Sequence, residues 1–322
     1  MTDEQRMLSD LAEELFASLG HEATMENDWG SIEAVALNGL LLGEDQGGFG
    51  GSWEDALVVF RQAGYHALSL PVAESAIAAS LAGRSGERGT IASAAAGTLT
   101  DGRFTGTISG ICFGAGAAYI VAPSPEGGSF LFDADSLRFE RSESVAGEAR
   151  ESLQLDDVAV TRIDGDVFVM GALARVAQTA GALDAALARS VEYANDRSQF
   201  GRALGKFQAV QQNLATFACE AAAANCAAMG AAQAMQKGVA LFEVAAAKIR
   251  ANRAIGVGTA ITHQVHGAIG FTQEYPLHPL TRRLWAWRSE FGNDRYWSDV
   301  LAPEIIARGA ENFWADLTAL RD

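Results

Sequence analysis

Two long helical stripes separated by a short polar break constrain this chain more than any other feature. Leu173, Val176, Ala180, Leu183, Leu187 and Val191 recur at three- and four-residue spacing, and Phe207, Val210, Leu214, Phe217 and Ala221 resume the pattern. Each set lies on one face of a helix. Between and across them, Tyr193 to Leu214 reads YANDRSQFGRALGKFQAVQQNL. Asn195, Asp196, Arg197, Ser198, Gln199 and Gly201 supply the polar and glycine punctuation that ends one helix and opens the next. Two readings of this corner are open. It is a helix hairpin with a solvated arginine, or a set of fixed donors for an anionic ligand such as a diphosphate. The donors would be the Arg197 guanidinium, the Gln199 amide and the N–H groups opening the second helix.

The rest of the chain divides by character. Residues 1–85 carry helical stripes such as Met7, Leu8, Leu11, Leu15 and Phe16. They are interrupted by the glycine-rich run Gly43 to Ser52, with Ser52 placed to cap the helix that follows. That run is no phosphate loop: no strand leads into it, no GK[ST] follows, and its two acidic residues would repel a phosphate. Residues 86–170 hold short β-favouring runs: Phe104 to Ile108, Ala118 to Val121, Phe130 to Phe132, Leu137 to Phe139, Val158 to Thr161 and Val167 to Met170. Turn signals such as Asp101-Gly102 and Asp164-Gly165 separate them, with no room for crossover helices, so a small antiparallel β domain is expected. Residues 171–322 are helical again. A third helix is expected from about Val239 to His263, with the small residues Ala245, Ala246, Gly256 and Gly258 for close packing. A last helix is expected over about Pro303 to Leu320.

Composition narrows the partners. With 49% hydrophobic and 20% charged residues the chain is of globular type. A net charge of −16 argues against nucleic acid or an anionic membrane surface. It also speaks against a nucleic-acid stacking role for Trp285, Trp287, Tyr296 and Trp297. No apolar run approaches the ~20 residues of a bilayer span, and the acidic start is unlike a signal peptide, so a cytoplasmic protein is expected. Cys219 and Cys226 lie a heptad apart on an alanine-rich helix and are expected as buried free thiols, with no metal spacing. His263, His266 and His278 lack a further ligand in register, so no metal site is expected.

Three stretches carry a resemblance. They are LLLGEDQGGFGGSWEDALVVFRQAGY, DRSQFGRALGKFQAVQQNLA and HQVHGAIGFTQEYPLHPLTRR. In this order around a β segment, they resemble the acyl-CoA dehydrogenase family. The resemblance implies an α+β fold: an N-terminal helical domain over 1–85, a middle antiparallel β domain over 86–170 and a C-terminal four-helix bundle over 171–322. It implies FAD, an acyl-CoA substrate and α,β-desaturation, with a glutamate as base. Family flavins lie at a subunit interface, and this chain resembles the neighbour's half of that site. Arg197, Gln199 and Phe200 match positions at the diphosphate and adenine end. Phe207 and Gln208 match positions lining the flavin or adenine. Gln264, Val265, His266, Gly267 and Ala268 match the turn that holds the diphosphate.

Other family features are missing. The Thr-Glu-Pro-x-x-Gly-Ser-Asp segment and the Trp-bearing flavin strand have no counterpart, and the N-terminal helical part is shorter. One family base position holds Ala174. The other aligns with Phe291, leaving Glu290 one residue early as a catalytic candidate, or as a surface or ion-pair partner of Arg288 or Arg282. The expectation is therefore a short, non-catalytic subunit that completes the FAD site of a full-length partner, in a heterotetramer acting on a bulky acyl-CoA such as a steroid-derived one. The rivals are a self-sufficient homo-oligomeric dehydrogenase and a scaffold subunit that binds no flavin.

Overall fold

The computed structural model describes residues 1–135, 137–238 and 240–315. Thr2 caps helix α1 (Asp3–Leu19) through a capping box with Gln5, and the α1 stripe buries Ala12 and Phe16. Helix α2 (Met25–Ala34) follows, then the glycine run. Ser52 caps α3 (Trp53–Tyr65), as its position predicts: its hydroxyl accepts from the Asp55 N–H at 3.1 Å, and Asp55 accepts from the Ser52 N–H at 2.8 Å. Helix α4 (Val72–Ala82) is almost uniformly apolar and buried over most of its length; Gly83, left-handed at φ 64°, ends it.

Six strands form one sheet in the order β5-β2-β1-β3-β4-β6. They are β1 (Gly89–Thr100), β2 (Arg103–Cys112), β3 (Tyr119–Pro123), β4 (Ser129–Asp133), β5 (Arg150–Ala159) and β6 (Thr161–Ile163). All pairs are antiparallel except β1 with β3. Asp101 and Gly102 turn the β1–β2 hairpin with φ of 48° and 73°, the primed-turn geometry that matches strand twist. Phe104, Ile108, Ile120, Phe130 and Leu153 fill the core of this layer. Two expected runs are not strands. Leu137 to Phe139 lies outside the ladders. Val167 to Met170 is the first turn of a helix, because the Asp166 carboxylate accepts from the Phe168 and Val169 N–H groups and caps it.

That helix, α5 (Val167–Asp196), is the spine of the molecule. Gly64 of α3 and Gly181 of α5 let the two backbones touch, since a Cβ at either would strike a carbonyl of the other helix. A small hairpin, β7 (Ser198–Gln199) and β8 (Arg202–Ala203), joins α5 to α6 (Gln208–Gln236). Helix α7 (Leu241–His266) returns along α6, and Gly258 admits the Phe217 ring and Leu183, as its small side predicts. Helices α8 (His278–Trp287) and α9 (Asp294–Arg308) complete the described chain. Val239 and the last part of the expected Pro303 to Leu320 helix lie outside the described residues.

Two expectations about α6 need correction. It is long and apolar enough to cross a membrane by length and composition, contrary to the sequence expectation. Yet Phe217, Ala221, Ala224, Ala228 and Ala231 pack into the bundle. Asn225 donates to Asp184 on α5 at 3.1 Å, so the helix is a bundle element with polar ties. Cys219 and Cys226 are exposed free thiols, and only Cys112 is buried. On a helix this rich in alanine, the face that turns inward is set by Phe217 and its neighbours, not by the cysteines.

Candidate cofactor corner and a locked acid

The corner is built by local rules. Helix α5 stops at Asp196, and the Arg197 N–H still donates to the Tyr193 carbonyl at 2.9 Å. The chain reverses at Phe200 and Gly201, both left-handed at φ 52° and 77°. The glycine accepts this freely, while the phenylalanine is held there by the hairpin. The Leu204 N–H closes the loop onto the Arg197 carbonyl at 2.8 Å. Among the described residues no side chain caps the N-terminus of α6, so its opening amides face outward with their partial positive charge.

Helix α7 ends against this corner. Gly267 leaves the helix at φ 63°, and a short tight turn runs on to Phe271. Together the two termini enclose a cavity of about 660 Å³. Arg197 and Gln199 line it from the hairpin side, and Gln264, Val265, His266, Gly267 and Ala268 line it from the α7 side. Tyr193, Ala209, Val210 and Asn213 also line it and were not anticipated; helical spacing from Arg197 and from the α6 start could have found them. Three expected residues stand outside the wall. Phe200 is 91% exposed at the hairpin tip. Phe207 and Gln208 sit at the mouth of α6, with the Arg202 guanidinium 4.0 Å above the Phe207 ring.

The polar groups here fall into two kinds. The Arg197 guanidinium is exposed and has no hydrogen-bond or ion-pair partner among the described residues, so its charge is available to an anion. His266 is committed inward. Its Nδ1–H donates to the Thr262 carbonyl at 2.8 Å, its Nε2 accepts from the Tyr275 hydroxyl at 3.2 Å, and its ring stacks on Tyr193 at 4.6 Å. Burial holds its pKa below the ordinary value, against the Thr262 bond that raises it. His266 is thus a strut under the cavity, held by its two hydrogen bonds and the Tyr193 stack, and the turn beyond it presents backbone. His263 stacks on Phe271 at 4.2 Å.

Glu290 lies elsewhere, among partners other than those expected. Arg288 pairs with Asp294 at 3.6 Å, and Arg282 donates to the Val145 carbonyl at 2.7 Å. Glu290 instead accepts from Arg150 Nε at 2.9 Å and Nη2 at 3.2 Å, and from Arg175 Nε at 2.7 Å. Its side chain is 15% exposed, not a surface group. Burial would raise its pKa, but Arg150 and Arg175 outweigh burial and hold it at about 2. The pairing continues both ways. Arg175 bonds Glu74 of α4 at 2.6 Å, Arg150 bonds Glu148 at 2.9 Å, and Glu148 bonds Arg283 of α8 at 2.8 Å. Glu74–Arg175–Glu290–Arg150–Glu148–Arg283 is a chain of alternating charge, buried at Glu74, Arg175, Glu148 and Arg283 and partly exposed at Glu290 and Arg150, that ties helical and β layers together.

Such an acid is a poor base: its pKa is far below neutrality and both oxygens are occupied. The neighbouring positions offer no substitute. Ala174 is buried in α5. Phe291, left-handed at φ 52°, presses its ring against Gly171, where any Cβ would collide with it, and lies 5.6 Å from the Arg175 guanidinium. The buried Lys248 ammonium donates to the Trp287 carbonyl at 2.7 Å and pins the end of α8 just before this turn.

Comparison with known proteins bears on both halves. Residues 162–306 match the family described as acyl-CoA dehydrogenase, C-terminal domain. The acyl-CoA dehydrogenase FadE34 of Mycobacterium tuberculosis is 30% identical over 274 residues, covering 78% of this chain and 38% of that protein. IpdE2 of the same organism is 30% identical over 131 residues, covering 41% of this chain and 40% of that protein. The chain thus spans about two fifths of the length of these curated relatives. Among solved structures, the ChsE4-ChsE5 complex of M. tuberculosis aligns with a TM-score of 0.83 at 21% identity, covering 94% of this chain and 97% of that one. The Tcur3481-Tcur3483 steroid ACAD aligns with a TM-score of 0.86 at 24% identity, covering 96% and 99%.

Proposed function

Since this chain belongs to the acyl-CoA dehydrogenase family through its C-terminal domain and has the fold of that family throughout, we propose that it is the non-catalytic subunit of a heteromeric, FAD-dependent acyl-CoA dehydrogenase. The observation that carries this is a contrast within one chain. The cofactor corner is open and its arginine is unpaired among the described residues, while Glu290, the acid one residue from a family base position, is locked between two arginines.

The residues present fit one end of the flavin dinucleotide. Arg197 would pair with the diphosphate, the α6 amides would add N–H donors, and the turn from Gln264 to Ala268 would line the opposite wall. Gln199 would hydrogen-bond the same end, with Phe200 reaching past the rim toward the adenine and Phe207 and Gln208 at the mouth. Bound FAD supplies the acceptor for the β hydrogen of an acyl-CoA thioester. The base, and the pocket for the flavin ring, belong to a full-length partner subunit in a cytoplasmic heterotetramer. Substrates of steroid type are suggested by the steroid ACAD among the structural relatives.

The test is expression alone and together with a longer relative. A colourless chain that turns yellow only in the complex supports the assignment. A chain that is yellow alone and oxidises acyl-CoA refutes it in favour of a self-sufficient enzyme, and a complex that assembles colourless refutes it in favour of a scaffold.

A further inference from the structure

The loop that leaves α7 is clasped at its base by two side chains. His266 is the last residue of α7, and Tyr275 lies nine positions further on. The Tyr275 hydroxyl donates to His266 Nε2 at 3.2 Å. Behind that bond the His266 ring is buried, with its Nδ1–H on the Thr262 carbonyl at 2.8 Å. Within the loop, Thr272 bonds locally: its N–H and its hydroxyl both donate to the Ile269 carbonyl, at 3.1 and 2.9 Å. Gly267, Ala268 and Ile269, which the loop gives to the cavity wall, are exposed.

Three rings join this clasp to the opposite wall. Tyr193 stacks on His266 at 4.6 Å with 27° between the planes, and meets Tyr275 edge-on at 5.9 Å. The His266 and Tyr275 rings lie 5.0 Å apart. Tyr193 stands about one helical turn before Arg197, and both line the cavity. The gap between the Arg197 wall and the Gly267 wall is therefore spanned by packed aromatic rings, which resist compression. We propose that His266 and Tyr275 are positioning residues for the cofactor. With Tyr193 they hold the Gly267–Ala268 wall at one distance from Arg197, so that both walls reach the same diphosphate. The inference rests on the flavin reading above and adds the device that presets the gap. A loop held in place beforehand removes the ordering cost that a loose loop adds to binding.

Tyr275→Phe is the test, because it deletes the clasp and keeps all three rings. In the complex with the longer subunit, the dissociation constant for FAD, read by flavin fluorescence, should rise about threefold to tenfold, as for the loss of one hydrogen bond. The urea midpoint should stay at the wild-type value, since freeing an exposed loop is a local event. His266→Leu should weaken FAD at least as much, and adding Tyr275→Phe to it should change nothing more, because both act through the same bond. Unchanged FAD affinity in Tyr275→Phe, beside a clear loss in Arg197→Ala, overturns this inference and leaves the flavin reading standing. A urea midpoint that falls in step with affinity, or a double variant that is additive, also overturns it. A wild-type complex that holds no flavin overturns both.

Discussion

Replacing Glu290 with Gln tests the buried charge chain most directly. The carboxylate takes three hydrogen bonds from two arginines and has its pKa held at about 2 against an ordinary 4.5. At 1.36 kcal/mol per pKa unit this corresponds to roughly 3 kcal/mol of folding stability at neutral pH. That lies within the range for removing one partner of a buried ion pair, about 3–5 kcal/mol. The sign follows from the depression. The contribution is fully present above the unfolded pKa and is lost as pH falls through the folded pKa, so the window runs from about 4.5 down to about 2. Urea denaturation of the wild-type chain and of Glu290→Gln, compared at pH 7 and at steps down to pH 3, should show a large gap that narrows with acid. In a yellow complex the same variant should leave turnover nearly unchanged, because the base lies in the partner. A variant as stable as wild type at pH 7, or a gap that does not change with acid, would refute the assignment of Glu290 to the charge chain. Loss of turnover with stability intact would make it the catalytic base after all.

Three further outcomes are expected. Arg197→Ala should lower FAD retention in the complex by about 10-fold or more, as expected for a charge-assisted diphosphate bond; flavin absorbance after gel filtration reads it, and unchanged retention removes Arg197 from the site. Burial, partly offset by Glu290, brings Lys248 down to about 7, so the unfolded chain binds the extra proton above that value. Stability should therefore gain a rising component above pH 7, at up to about 1.4 kcal/mol per unit, and Lys248→Met should remove that slope from the urea midpoints between pH 7 and 9. Gly64→Ala should destabilise the chain by about 1–3 kcal/mol, because its methyl meets the Gln178 carbonyl where α3 crosses α5; a thermal melt no lower than wild type would contradict that crossing.

What could be seen beforehand, and what could not, divides by sequence distance. The helices around Tyr193 to Leu214, the Ser52 cap and the Asp101-Gly102 turn were legible because each depends on groups within a few residues. The Val167 to Met170 run misled for the same local reason: Val and Phe favour strands, and only the Asp166 cap with the long stripe beyond it makes a helix. The cysteines of α6 misled because periodicity shows that a helix has faces without saying which one the neighbours cover.

The two halves of the candidate site separate on this line. Sequence by itself determined the donor-bearing corner at Arg197, since a broken helical period, a glycine and an arginine act on their immediate neighbourhood. It also carried the order of motifs that resembles a family. The resemblance already put the turn after α7 beside the same diphosphate, and the structure supplies the cavity that both line; only the tertiary structure decided that Glu290 is locked rather than free. Its partners Arg150 and Arg175 lie 140 and 115 residues away in sequence. An acid's pKa is set by the charges packed around it in space, and the nearby arginines that seemed its natural partners, Arg282 and Arg288, point to other acceptors.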